Sequence, residues 1–274
     1  MRPQRYHIRF PADNLTRASQ AEAYFTIMED GKERRIAFHD YADIYNRPGL
    51  YEQLFYQRLK CTSPAKLTEL LRDAATKAGD DPTQMRVLDV GAGNGMVGEL
   101  LVQHGAARVV GIDNIHEAER AADRDRPGAY DAYYVTDLTK LSPEVLAELK
   151  GWSFDAMTTV AALGFGDIPV AAFAAAYNLV RDDGWVAVNI WLGCRQHQGN
   201  LPRHRRYQRL LAAGQAHGAR RLPEAASAGT LPPPAFDRGQ HAVLLRRGRT
   251  QAARYRRCMP RRNPTRNPLI RHSR

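Results

Sequence analysis

The sequence predicts an α/β fold: a doubly wound, mostly parallel sheet of Rossmann-like type with an N-terminal hairpin and helical cover and a disordered C-terminal tail. Two observations carry the core of this expectation. From Arg86 onward short apolar runs alternate with amphipathic stretches: RVLDV, MVGELLVQHG, RVVGID, HEAERAADRD, AYYVTDL, PEVLAELK, FDAMTTVAAL, a helical stretch from Pro169 to Val180, then WVAVNIW. Short strands alternating with helices form parallel pairs covered on both faces, and ligands then bind beyond the carboxyl ends of the strands. The first of these strands runs straight into a glycine-rich loop, VLDVGAGNG at residues 87 to 95, which opens the next helix. The chain divides accordingly into a cover (1–82), an α/β core (83–191) and an arginine-rich tail (192–274).

The cover begins with AYFTIMEDGKERRIAF, two β-prone runs around Asp30-Gly31, a dipeptide suited to a hairpin turn with positive φ. HDYADIYNRPGLYEQLFYQRLK then carries many aromatics and breaks at Pro48-Gly49, which predicts a short helix, a turn and a second helix of about ten residues. Ser63-Pro64 starts a further helix, with Ser63 as cap and Pro64 at the first helical position. Leu67, Leu70 and Leu71 share its apolar face.

The 274 residues carry a net charge of +11, but the charge is uneven. Residues 1–191 hold 21 basic and 27 acidic side chains, whereas residues 192–274 hold 19 arginines, no lysine and 2 acids. The basic balance is thus a property of the tail, and it points to nucleic acid as a partner only if the tail is genuine. Just 12 of the 83 tail residues are Leu, Ile, Val or Phe, so the tail is expected to contribute no core, and if it is out of frame the fifth core strand, WVAVNIW, lies at an unpaired edge. Its Arg, Ala, Pro and Gly bias reads as out-of-frame translation of a GC-rich gene. With permitted codons, LPPPAFDRGQHAVLLRR shifted by one nucleotide gives YHHRLSTGGNTLYYFAV, a turn and a strand-like run. No apolar run approaches the length of a membrane span, and no leader is evident, so a cytoplasmic protein without a membrane partner is expected. Cys61, Cys194 and Cys258 lack metal or disulfide spacing, and no nucleophile elbow appears, so no metal is expected.

In LDVGAGNGMVGELL, Gly91, Gly93 and Gly95 let the backbone turn tightly and lie close against a nucleotide-like ligand at a helix N-terminus. Two cofactor classes compete. Gly93-x-Gly95-x-x-Gly98 with Asp113 twenty residues after Gly93 satisfies the dinucleotide fingerprint, which would make the protein an NAD(P)-binding oxidoreductase. Against it stands Asp89, two residues before the first glycine, which would repel a pyrophosphate but not a sulfonium with a free ammonium.

At Asp89, Gly91, Gly93 and Gly95 the sequence resembles the class I S-adenosylmethionine-dependent methyltransferases, whose hallmark is an acid two positions before a G-x-G-x-G loop. YNRPGLYE, DRDRPGAY and ALGFGDIP resemble an uncharacterised bacterial subgroup, and the likeness covers about residues 20–191. The resemblance implies that Asp89, Gly91, Ala92, Gly93 and Gly95 form the cofactor loop. It implies further that Asp113 with Asn114 receives the ribose hydroxyls, that Asp137 with Leu138 borders the adenine, and that Ala161 to Asp167 lines the methyl-transfer cleft. It also implies S-adenosyl-L-methionine as cofactor and an unidentified acceptor, with a small molecule favoured. Methyl transfer needs chiefly an in-line nucleophile and exclusion of water, so a base is optional. His39, Tyr45, Tyr51 and Asp167 are candidates by placement. Cofactor binding without catalysis is the other class of reading.

Overall fold

A computed structural model describes residues 4–11, 23–163, 168–191, 240–247 and 256–257. The hairpin forms where Asp30-Gly31 places it. Strands β1 (Tyr24–Glu29) and β2 (Lys32–Ala37) pair antiparallel, and Asp30 (φ 51°) with Gly31 (φ 74°) makes the left-handed two-residue turn that matches the strands' twist. Its apolar face, Phe25, Ile27 and Ile36, joins Tyr6, Ile8, Phe38 and Leu54 in a core separate from that of the sheet. Helix α1 (Tyr41–Tyr45) follows, capped by the Asp40 carboxylate, which accepts from the Asp43 amide at 3.1 Å.

The second cover helix departs from expectation in length and in pitch. It spans Glu52–Arg58, and its turns are π-helical, with the Leu59 amide donating to the Leu54 carbonyl five residues back at 3.0 Å. Such a repeat puts residues four and five apart on one face, so Tyr51, Phe55 and Tyr56 all reach the same cavity. In α2 (Ser63–Lys77) the cap is Thr62, one residue earlier than Ser63, and Pro64 sits in the first turn. Leu67 and Leu71 are buried beneath it.

The core strands are β3 (Arg86–Val90), β4 (Arg108–Asp113), β5 (Ala132–Val135), β6 (Phe154–Thr159) and β7 (Val180–Trp191). Between them lie α3 (Met96–Gln103), α4 (His116–Asp125), α5 (Pro143–Gly151) and α6 (Val170–Leu179). The first five strands of the sheet lie in the order β5-β4-β3-β6-β7 and run parallel. Winding reverses between β3 and β6, so the glycine loop after β3 opens at the switch point, where sheets of this kind bind ligands. One face of the sheet is covered by α5 and α6 over Leu88, Ile112, Phe154 and Val186, and the other by α2 and α3 over Val87, Val109 and Ala187.

The expectation of a tail without any core part, and of β7 as an unpaired edge, is corrected. Strand β8 (Gln240–Arg246) runs antiparallel along β7, from Trp191 opposite Gln240 to Trp185 opposite Arg246, and a two-residue strand β9 (Arg256–Arg257) pairs with β8. Leu245 is buried in the sheet's main core. Average composition misled here because an open strand edge asks only for backbone partners and one local apolar run, and AVLL supplies that run. The rest of the tail lies outside the described residues.

Candidate functional site

The loop after β3 is built around backbone conformations that other residues resist. Gly91, Gly93 and Gly95 have φ of 74°, 53° and 85°. Gly91 and Ala92 donate to the Ile112 carbonyl at 2.9 and 3.1 Å, which ties the loop to the end of β4. A Cβ on Gly93 would lie 2.5 Å from the Tyr45 hydroxyl. Gly91 and Gly93 thus offer bare backbone to the space between loop and cover, whereas Gly95 begins α3 beside Arg126 and Tyr130 and faces away.

That space is a cavity of about 380 Å³. Its floor is Gly91 to Asn94, its walls are Asp113 to Ile115 and Val160 to Ala162, and its roof is His39, Tyr41, Tyr45, Tyr51, Phe55 and Tyr56. A smaller hollow of about 60 Å³ shares Gly91, Asp113, Asn114 and Ile168 with it and adds Thr136, Asp137, Leu138 and Ala172. The fold therefore brings Gly91, Ala92, Gly93, Asp113, Asn114, Ala161, His39, Tyr45 and Tyr51 around the larger cavity, and Asp137 and Leu138 around the smaller hollow beside it. Asp167 lies outside the described residues.

Asp113 ends β4 with one carboxylate oxygen accepting from the Gly93 amide at 2.9 Å and the other from Asn114 at 2.7 Å. Burial raises its pKa against the pull of these amides. Its remaining lone pairs are available to hydroxyl donors. Asp137 accepts from the amide and hydroxyl of Thr139 at 2.8 and 2.7 Å, and these bonds hold its pKa down. Ala161 has a positive φ of 59°, and its amide donates to the Asn189 side chain at 2.6 Å, which fixes the wall after β6. Burial lowers the pKa of His39, favouring neutral imidazole, and raises those of Tyr45, Tyr51 and Tyr56, which keeps their hydroxyls protonated.

Asp89 departs from direct contact with the cavity. It is 1% exposed, beneath the loop, where Thr158 donates to one oxygen at 2.7 Å and Tyr130 to the other at 2.8 Å. Burial pushes its pKa up to about 6.

Four residues that sequence spacing did not single out complete the site. Tyr130 supports Asp89 and lays its ring against Gly98, where a Cβ would meet it at 2.5 Å, so this glycine serves packing. Asn94 is 1% exposed and donates to Glu52 at 2.5 Å. Arg126 donates to Glu52 at 2.8 Å, to the Asn94 carbonyl at 3.0 Å and to Glu99 at 3.1 Å, and so clasps the cover to the loop. Only DRDRPGAY hinted at Arg126, and no spacing rule connects it to Glu52. Among the described residues, no cluster of three or more His, Cys, Asp or Glu is placed to hold a metal ion.

A parallel sheet, a glycine floor at its switch point and an acid at the end of the neighbouring strand define a nucleotide-type cradle. Residues 62–227 match the family model described as a methyltransferase domain, and the chain belongs to that family. It is similar to the ubiquinone biosynthesis O-methyltransferase of Neisseria meningitidis serogroup C, 36% identical over 102 residues that are 37% of this chain and 42% of that protein. The enzyme of the same name from Nitrosococcus oceani is 34% identical over 131 residues, 48% of this chain and 51% of that protein. The chain spans about half the length of the curated relatives it matches. Among solved structures it is similar to S-adenosylmethionine-bound CalS10, an amino pentose methyltransferase from Micromonospora echinaspora, with 23% identity, a TM-score of 0.41 and coverage of 52% and 56% of the two chains.

Proposed function

We propose that this protein transfers a methyl group from S-adenosylmethionine to a small-molecule acceptor. The observation that carries this reading is the cavity with bare Gly91 and Gly93 backbone on its floor and the Asp113 carboxylate at its wall. When bound, the cofactor supplies a methyl already activated on a sulfonium. The chain's own work is then to bind, orient and exclude water.

Asp113 receives the ribose hydroxyls on lone pairs that its two amide donors leave open. Asp137, Leu138 and Asn114 border the adenine in the smaller hollow. Asp89, ionised at neutral pH, places negative charge under the loop, which favours an ammonium-bearing ligand and repels a pyrophosphate. His39, kept neutral in the roof, is the side chain best suited to receive a proton from an acceptor, and the protonated Tyr45 and Tyr51 can orient one by donating hydrogen bonds. Among the described residues no helix is long and apolar enough to cross a membrane, and we place the activity in the cytoplasm.

Calorimetric titration tests the reading. S-adenosylhomocysteine is expected to saturate one site while NAD leaves no heat. Asp113→Ala should weaken S-adenosylhomocysteine about ten- to a hundredfold, or roughly 1.5 to 3 kcal/mol. Binding of NAD in its place would restore the oxidoreductase reading, and unchanged binding in the variant would remove Asp113 from the ribose.

A further inference from the structure

The wall after β6 carries a backbone outlier. Ala161 has a φ of 59°, and among the described non-glycine residues with positive φ it alone lines the cavity. Glycine, asparagine and aspartate visit the left-handed region with little penalty, whereas the Cβ of alanine crowds the backbone there. Such a conformation persists only where its surroundings hold it, and it gathers at sites that bind or react.

Asn189 does the holding. It lies near the end of β7, immediately after Val188, which pairs with Thr159 of β6. On its other side it pairs with Ala242 of β8, so its backbone is fixed within the sheet. Trp185 and Ala187 face α2 and α3, and the alternation of a strand puts the Asn189 side chain on the same face. It is 6% exposed, and its Oδ1 accepts from the Ala161 amide at 2.6 Å, reaching across the end of β6.

The wall in turn sets the space above the glycine floor. A Cβ built on Gly91 would meet the Ala162 Cβ at 3.3 Å and the Ile168 Cδ1 at 3.2 Å, so the gap between wall and floor is too small for a methyl group. The wall cannot move inward without pressing on the cofactor loop, and an outward move opens the cavity.

Resting on the methyltransferase reading, we propose that Asn189 is a positioning residue, which holds Ala161 in its left-handed conformation and so keeps the wall of the methyl-transfer cleft against the cofactor loop. Asn189 itself does not line the cavity and acts through Ala161. Glycine at that position would adopt the same φ without strain. Asn189 therefore matters for binding only while residue 161 carries a side chain.

A double-mutant cycle on the full chain tests this, with S-adenosylhomocysteine titrated calorimetrically at a temperature where thermal melts show every variant folded. Asn189→Ala is expected to weaken S-adenosylhomocysteine about tenfold, which is about 1.4 kcal/mol. Ala161→Gly alone should change the affinity by less than about twofold, and in its background Asn189→Ala should cost no more than about twofold. Should Asn189→Ala not fold, Asn189→Thr takes its place, because threonine suits a strand and its hydroxyl stops short of the amide. An equal loss in both backgrounds overturns the proposal, since Asn189 would then act by a route other than the conformation of Ala161. So does unchanged affinity in Asn189→Ala, even with a lowered Tm, because the residue would then serve stability alone. Failure of S-adenosylhomocysteine to bind the unaltered chain would be the failure of the methyltransferase reading itself, seen before any variant is made.

Discussion

Asp89 shows what a buried charge costs the fold. Its carboxylate ionises near pH 6 in the folded chain against an ordinary value of 3.8, because burial outweighs the hydrogen bonds from Thr158 and Tyr130. Below about pH 3 it is neutral in both states. As pH rises toward 6 the unfolded chain gives up its proton first, so this residue's contribution to stability falls across that window, and above it the whole penalty is present. Asp89→Asn should therefore be more stable than the wild type at pH 7.5, on the order of 2 kcal/mol by urea denaturation, with the difference vanishing below about pH 3. The same variant should bind S-adenosylmethionine about tenfold more weakly, for want of the charge under the loop. Equal affinity would make Asp89 a purely structural acid. Gly93 is the converse case, since Gly93→Ala meets both a left-handed φ and the Tyr45 hydroxyl. It should cost about 1 to 2 kcal/mol of stability and abolish most cofactor affinity, readable in the same two assays.

Between elements, the decisive link is the clasp of Arg126 and Glu52. Arg126 is the residue just past α4 and Glu52 opens the π-helical turn, so their contact at 2.8 Å fixes the cover that carries Tyr45 and Tyr51 over the loop. Arg126 is 8% and Glu52 23% exposed at the side chain, so breaking the pair strands a largely buried charge. Arg126→Met should lower stability by about 2 kcal/mol and raise the protease sensitivity of residues 40–60 before that of the sheet. Loss of both at one rate would mean that cover and core unfold as one. This is also where legibility from sequence ends. The βα repeat, the Asp30-Gly31 turn, the glycine floor and the acids Asp113 and Asp137 were readable, because each depends on residues adjacent in the chain or at fixed spacing. The clasp joins residues 74 apart, and no local period announces the π-helical turn. Asp89 was legible as an acid but not in its place beneath the loop, since its partners Thr158 and Tyr130 come from β6 and the approach to β5.

For the molecule as a whole, the open question of chemistry is the origin of residues 192–274. Strand β8 pairs with β7 over seven residues and buries Leu245, so the sheet gains an antiparallel neighbour from a segment of unfavourable average composition. Backbone pairing of this kind accepts any short apolar run, and both HAVLLRR and its shifted counterpart TLYYFAV qualify, so the strand by itself does not choose between reading frames. We propose a shift in a GC-rich gene as the origin, since it would yield 19 arginines without one lysine after 191 residues of ordinary acidic balance. Nucleotide sequencing across codons 185–274 is expected to show an open alternative frame with an apolar strand at the position of β8. A closed alternative frame would make the arginines genuine, and binding of the full chain to nucleic acid should then fall steeply with salt, by a slope near 0.9 per phosphate contact. In either frame, ending the chain after Trp191 exposes the edge of β7, and that truncated protein should aggregate at concentrations where the full chain stays in solution.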